Sequence, residues 1–185
     1  PLIGTSVFET FLTFLQNPIL GILFGLILTV IVQSSSATVG MLQTVAAATA
    51  AAVLEDPTAV VVTFSMAYPI IMGINIGTTL VTAFYCFLGG EDRDSKRTGI
   101  VHVAFNTIGT VIFMIVMSIM QHFAVFGEAF WGMTVNSTVI AIFQSLFNVF
   151  TAVLLIPFTD QLVKLSIVVV KDEKEKAHRH PELHT

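Results

Sequence analysis

Gln33-Ser34-Ser35-Ser36 sets four oxygen-bearing side chains side by side in an otherwise apolar stretch. A helix ending near Val32 presents carbonyl groups there, and a helix starting near Ala37 presents free N–H groups and the positive end of its dipole. The N–H end suits an anion. The carbonyls and neutral hydroxyl and amide oxygens suit a hard cation such as Na⁺ better than a transition metal. About forty residues later, Asn75-Ile76-Gly77-Thr78-Thr79 offers a second set of the same kind. Serines and threonines in apolar helices often bond back to their own carbonyls instead, but three serines behind a glutamine favour a ligand site. His102 with Asn106, and Gln144 with Asn148, each lie four residues apart and share a helix face. These pairs suit interhelical hydrogen bonds or substrate contact.

Other chemistry is missing from the sequence. It has no Ser/His/Asp order, no metal-ligating His/Glu pair at helical spacing and no Gly-Lys-Ser/Thr phosphate loop. Cys86 is the one cysteine, which excludes an internal disulfide and a Cys-based metal site. No enzyme activity and no cofactor are expected.

The elements that must position these residues belong to a membrane. Apolar residues make up 55% of the 185, charged residues 11%, and the mean hydropathy is +0.88. No Asp, Glu, Lys or Arg lies between Glu9 and Glu55, Asp56 and Glu91, Arg97 and Glu128, or Glu128 and Asp160. A soluble helix needs a polar face, and these windows have none. Each is long enough for at least one span of about 20 residues. The composition excludes a disordered chain, a basic nucleic-acid binder and a disulfide-stapled module. Pro1 at the start and the polar C-terminal run suggest a fragment of a longer membrane protein.

The windows differ. In 18–54, the apolar stretches on either side of Gln33–Ser36 are about 21 and 26 Å long at 1.5 Å per residue. Both fall short of a core about 30 Å thick, which predicts a re-entrant helical hairpin with its tip near mid-membrane. In 58–90, Pro69, Gly73 and Gly77 predict a discontinuous helix with halves near 59–72 and 79–88. Residues 98–170 predict two plain transmembrane helices, and 1–17 an interfacial lead-in helix. Residues 171–185 read as a polar cytoplasmic tail or linker. Gly21-x-x-x-Gly25 and the alanines of 46–52 fit close helix packing.

Lys and Arg gather in 91–97 and from Lys164 to Arg179, while 54–58 and 121–134 hold none. Two crossings separate the basic segments, so both belong on one side, taken as cytoplasmic. The hairpin then enters from the external face. With no Lys or Arg inside a window, a doubly charged anion needs co-bound cations to cross, which favours symport over uniport.

Gln33-Ser34-Ser35-Ser36 followed by Asn75-Ile76-Gly77-Thr78-Thr79 resembles the sodium–phosphate cotransporter family, its bacterial branch and the related type II carriers. Over roughly residues 1–170 the chain is similar to the second of two inverted repeats. His102-x-x-Phe105-Asn106, Phe147-Asn148 and Pro157-Phe158 carry the bacterial likeness, while Ile74 and Gln144 depart from the family's usual Ala and His. The resemblance implies an all-α polytopic protein of the cell membrane, one inverted-repeat unit with a re-entrant hairpin and a discontinuous helix. It implies that Gln33, Ser34, Ser35 and Ser36 line a Na⁺/phosphate site with Asn75, Thr78 and Thr79 beside them, and Asn106 and Asn148 as further contacts. Na⁺ falls to Gln33, Ser34, Ser35, Ser36, Asn75 and Thr78. Its implied partners are phosphate, sodium, the lipid bilayer, the other repeat and a PhoU-like cytoplasmic domain. A sodium-coupled carrier of another anion (dicarboxylate or sulfate) and a non-transporting membrane anchor or sensor are the alternatives.

Overall fold

The computed structural model describes residues 5–89 and 92–171. Almost all of the expected polar tail lies outside these residues. Among the described residues the chain is helical, apart from one isolated antiparallel bridge between Thr63 and Thr134.

Helix α1 (Ser6–Phe14) starts at Thr5, whose hydroxyl accepts from the Phe8 N–H at 3.3 Å. It buries Leu12, and the chain then turns through 107° into α2 (Pro18–Val32). Asn17 caps α2 through the Ile19 N–H at 2.9 Å, with Pro18 at its first position.

The hairpin of 18–54 consists of α2 and α3 (Ser35–Glu55). Helix α3 begins two residues earlier than expected, so only Gln33 and Ser34 form the break. It is also longer than the apolar stretch suggested. It is one of four segments long and apolar enough to cross a membrane, with α4 (Phe64–Leu88), α5 (Arg93–His122) and Ser137–Val169.

The discontinuous helix expected in 58–90 is not found: α4 is unbroken, and residues 56–63 lead into it without helix. Pro69 removes one hydrogen bond, but α4 is the most buried helix of the bundle and tertiary packing holds it through the gap. Gly73 and Gly77 do not loosen the backbone; they bring α2 against it. A Cβ on Gly73 would run into the Ile22 carbonyl, and one on Gly25 into the Ile70 carbonyl. A Cβ on Gly77 would lie 2.7 Å from the Leu26 oxygen, and one on Gly21 3.2 Å from the Pro69 Cβ. The contacts advance together along both helices, so α2 and α4 run parallel.

Helix α3 returns antiparallel, its Thr49 hydroxyl accepting from the Val62 N–H at 3.3 Å near the start of α4. Helix α5 follows α4 antiparallel, with Tyr68 donating to Gln121 at one end (3.1 Å) and Cys86 against Gly99 at the other. A four-residue helix, α6 (Glu128–Trp131), leads to α7 (Ser137–Leu155). A 3-10 turn at Ile156–Phe158, where Pro157 interrupts the hydrogen-bond pattern, joins α7 to α8 (Thr159–Val169). Phe64, Tyr68, Phe130, Trp131 and Phe143 pack together over one end of the bundle, with ring centroids 4.8–6.4 Å apart.

The two ends are tied separately. At one, Phe64 N–H donates to Met133 and Val135 N–H to Val62. At the other, the Arg97 guanidinium donates twice to the Val170 carbonyl, at 3.2 and 3.1 Å. The basic first turns of α5 and the end of α8 therefore share one end, as their charges required.

Candidate functional site

The turn between α2 and α3 is built by two backbone choices. Gln33 takes the left-handed region (φ 57°, ψ 21°), ending α2 with its N–H on the Thr29 carbonyl at 2.7 Å. Ser34 is extended (φ −147°, ψ 110°) and caps α3, its hydroxyl accepting from Ala37 N–H at 3.3 Å. A polar amide and hydroxyl at these two positions allow the reversal; an apolar pair would extend the helix.

Ser35 and Ser36 occupy the first turn of α3 rather than a loop. Among the described residues no hydrogen bond is found for their N–H groups or hydroxyls. The positive end of a 21-residue helix, two unpaired N–H groups and two unpaired hydroxyls thus lie in the first turn of α3. That is a set of donors for an anion.

The second set differs in kind. Asn75 Nδ2 donates to the Ile71 carbonyl at 2.9 Å, Thr78 Oγ1 to Ile74 at 2.8 Å and Thr79 Oγ1 to Ile76 at 2.8 Å. Asn75 and Thr79 are buried. This is the local back-bonding expected of polar residues within a membrane helix. A hydroxyl whose proton is committed to its own helix keeps only lone pairs for a ligand. The α4 set therefore offers acceptors, suited to a cation, and the α3 set donors, suited to an anion.

Among the described residues no hydrogen bond joins the two sets. Gly77 abuts Leu26 and Thr29 of α2, and Gln33 lies beyond Val30 against Leu80, Val81 and Phe84. The turn stops three to eight residues short of the end of α4 at Leu88, about 5–12 Å at 1.5 Å per residue. Gln33, Ser34 and Ser36 are exposed and Ser35 half-buried. Asn106 and Asn148 do not join them. Asn106 Nδ2 donates to His102 of its own helix at 3.2 Å, and Asn148 sits exposed on α7.

Sequence reading missed Tyr85, whose hydroxyl donates to Gln33 Oε1 at 3.0 Å. The contact commits the amide oxygen and leaves the Nε2 donors of Gln33 for a ligand. The available signal was a tyrosine in an apolar helix end, one of only two in the chain. It also missed Thr38, buried one turn into α3, whose hydroxyl donates to the Ser34 carbonyl at 2.9 Å.

A family model described as Na+/Pi-cotransporter matches residues 2–144, which include the α2–α3 turn, all of α4 and all of α5. The chain belongs to the Na⁺/Pi-cotransporter family. It is 32% identical over 104 residues to a sheep protein named sodium-dependent phosphate transport protein 2A, covering 54% of this chain and 15% of that one. It is 30% identical over 104 residues to the human sodium-dependent phosphate transport protein 2B, covering 54% and 14%. It is 28% identical over 144 residues to uncharacterized protein YqeW of Bacillus subtilis (strain 168), covering 78% and 41%. The chain thus spans less than half the length of each of these relatives. No solved structure matches. Family membership and four membrane-length helices make this a multi-pass membrane protein.

Proposed function

We propose that this chain supplies part of a carrier that moves inorganic phosphate across the cell membrane coupled to Na⁺. The observation that carries the reading is the turn at Gln33–Ser34. There the unpaired donors at the start of α3 lie in the same bundle of membrane-length helices as the acceptor set of α4. Phosphate binds the N–H and hydroxyl groups of Ser35 and Ser36 with the Gln33 amide. Na⁺ binds oxygens of Asn75, Thr78 and Thr79 together with Ser34. With no Lys or Arg in these windows, phosphate charge is offset by the bound cations, so neither ion crosses cheaply alone. Alternating exposure of the site to the two sides completes transport.

Gln33, Ser34 and Ser36 are exposed, and a buried ion needs protein on that side as well. The other half of the carrier, an inverted repeat of this one, closes the site in this reading, and a PhoU-like domain follows on the cytoplasmic side. The test is ³²P-phosphate uptake by proteoliposomes of the full-length protein. Uptake is expected to require Na⁺ and to fall at least tenfold in Gln33→Ala and Ser35→Ala. Equal uptake in choline would overturn the coupling, and wild-type uptake by both variants the site. Stronger competition by sulfate or a dicarboxylate than by unlabelled phosphate would overturn the substrate.

A further inference from the structure

A cavity lies between α1, α2, α3 and α4 and encloses about 70 Å³. Phe8, Phe11, Leu12 and Leu15 line it from one face of α1, and Phe24 and Leu28, one turn apart, line it from α2. Phe11 sits edge-on against Phe24, ring centroids 5.1 Å apart, which ties α1 to α2 beside the void. The other face of α1 is polar: Ser6, Glu9, Thr10 and Thr13 line a separate, open recess with Val60. Helix α1 therefore divides a polar recess from an apolar one.

The cavity exceeds the roughly 10–15 Å³ that one water needs, but a buried water also needs about two to four polar partners. Among the described residues Thr38 is the one polar side chain on the wall, and its hydroxyl already donates to the Ser34 carbonyl at 2.9 Å. Water is thus excluded, and an empty void forfeits the dispersion contacts of its walls. Hydrocarbon restores them. The cavity also opens onto hydrocarbon. Phe11 and Met41 on its wall are 39% and 47% exposed, and Leu20 and Leu23 of α2, beside Phe24, are exposed in turn. In a multi-pass membrane protein, lipid tails are the mobile apolar groups such a surface meets.

We propose that this cavity takes the methyl end of one alkyl chain from a surrounding lipid, and that the chain braces the α2–α3 hairpin. The walls reach the turn: Leu28 is four residues from the end of α2, Thr38 holds the Ser34 carbonyl at the start of α3, and Ile74 precedes Asn75 of α4. An alkyl chain seated there packs against four helices at once and resists closure of α2 on α3. Met41 and Met66, unbranched and adaptable, let the walls fit a flexible occupant. The site is distinct from the polar face of the turn. Its occupant is apolar rather than ionic, so it stands whether or not the protein carries phosphate.

The test is photolabelling of the purified full-length protein in lipid nanodiscs by a fatty acid that carries a diazirine near its methyl end, with the labelled residues mapped by mass spectrometry. Label is expected on Leu12, Met41, Val45 or Met66. Excess oleate is expected to reduce it at least fivefold, and to reduce label on the exposed Val149 and Val153 of α7 far less. Val45→Phe fills the cavity and is expected to cut the wall label at least fivefold; if it fails to fold, Val45→Leu carries the same direction with a smaller effect. Oleate is expected to raise the melting temperature of the wild type, and that of Val45→Phe by less than half as much. Wall label no denser than on α7 and unchanged in the filled variant would overturn the site. So would walls left unlabelled because a side chain from the rest of the carrier occupies the space. Wall label without an oleate-dependent rise in melting temperature would overturn the bracing role.

Discussion

At the residue scale, the tip depends on how Gln33 divides its amide. With Oε1 held by Tyr85, the Nε2 group is free to donate. Tyr85→Phe is expected to lower Na⁺-dependent phosphate uptake several-fold while expression and thermal stability stay near wild type. Gln33→Glu replaces the donors with a negative charge and is expected to abolish uptake; the ³²P assay reads both. Away from the site, Asp56 ends α3 and accepts from the Thr58 hydroxyl at 2.7 Å and its N–H at 2.9 Å. These bonds, the hydroxyl first, hold its carboxyl below the usual value. The turn they stabilise is intact above the ordinary carboxylate pKa and weakens as pH falls through the lowered value. Thr58→Val is expected to raise the Asp56 pKa, measured by NMR titration.

At the element scale, the α2–α4 contact is the tightest in the molecule because glycines let backbone touch backbone. Gly73→Ala sets a methyl on the Ile22 carbonyl, which has no side chain to swing aside. Overpacking of that kind costs about 1–3 kcal/mol. Gly40 of α3 has nothing within 4 Å of its would-be Cβ. Gly40→Ala is expected to stabilise by about 0.5–1 kcal/mol through helix propensity alone. Unfolding of the two variants in detergent checks both signs. The same glycines show what was legible. The spacing of Gly21 and Gly25 signalled close packing, and packing is found. Gly73, Gly77 and Pro69 signalled a broken helix, and a continuous one is found. Local propensity reads these residues as breakers; it does not see that α2 lies where a side chain at 73 or 77 would go. The hairpin turn was legible because polar residues interrupt an apolar run. Its helix boundary was not, since Ser35 and Ser36 serve equally in a loop and in a first helical turn.

At the scale of the whole molecule, charge placement carried the most information. The Lys and Arg of 91–97 and of Lys164 to Arg179 predicted a shared end, and Arg97 on the Val170 carbonyl joins the two segments there. The contact between α5 and α7 was not legible, because Gly109 and Thr151 lie in helices whose apolar surroundings hide which face is inward. The exposed sides of Gln33, Ser34 and Ser36 set a further expectation: the ion site is complete only when the rest of the carrier covers it. Coexpression of this segment with the remaining half is expected to restore Na⁺-dependent uptake that neither piece supports alone. Uptake by this segment alone would contradict that.

In the proposed function the α2–α3 turn holds the transported ions inside the membrane. Ser35→Cys in a Cys86→Ser background of the full-length protein gives the most direct measurement: its labelling rate by a membrane-impermeant thiol reagent, with and without Na⁺ and phosphate. At least a tenfold slowing is expected when both ions are present and little when choline replaces Na⁺. Labelling at the rate of an exposed loop position, indifferent to either ion, would contradict it.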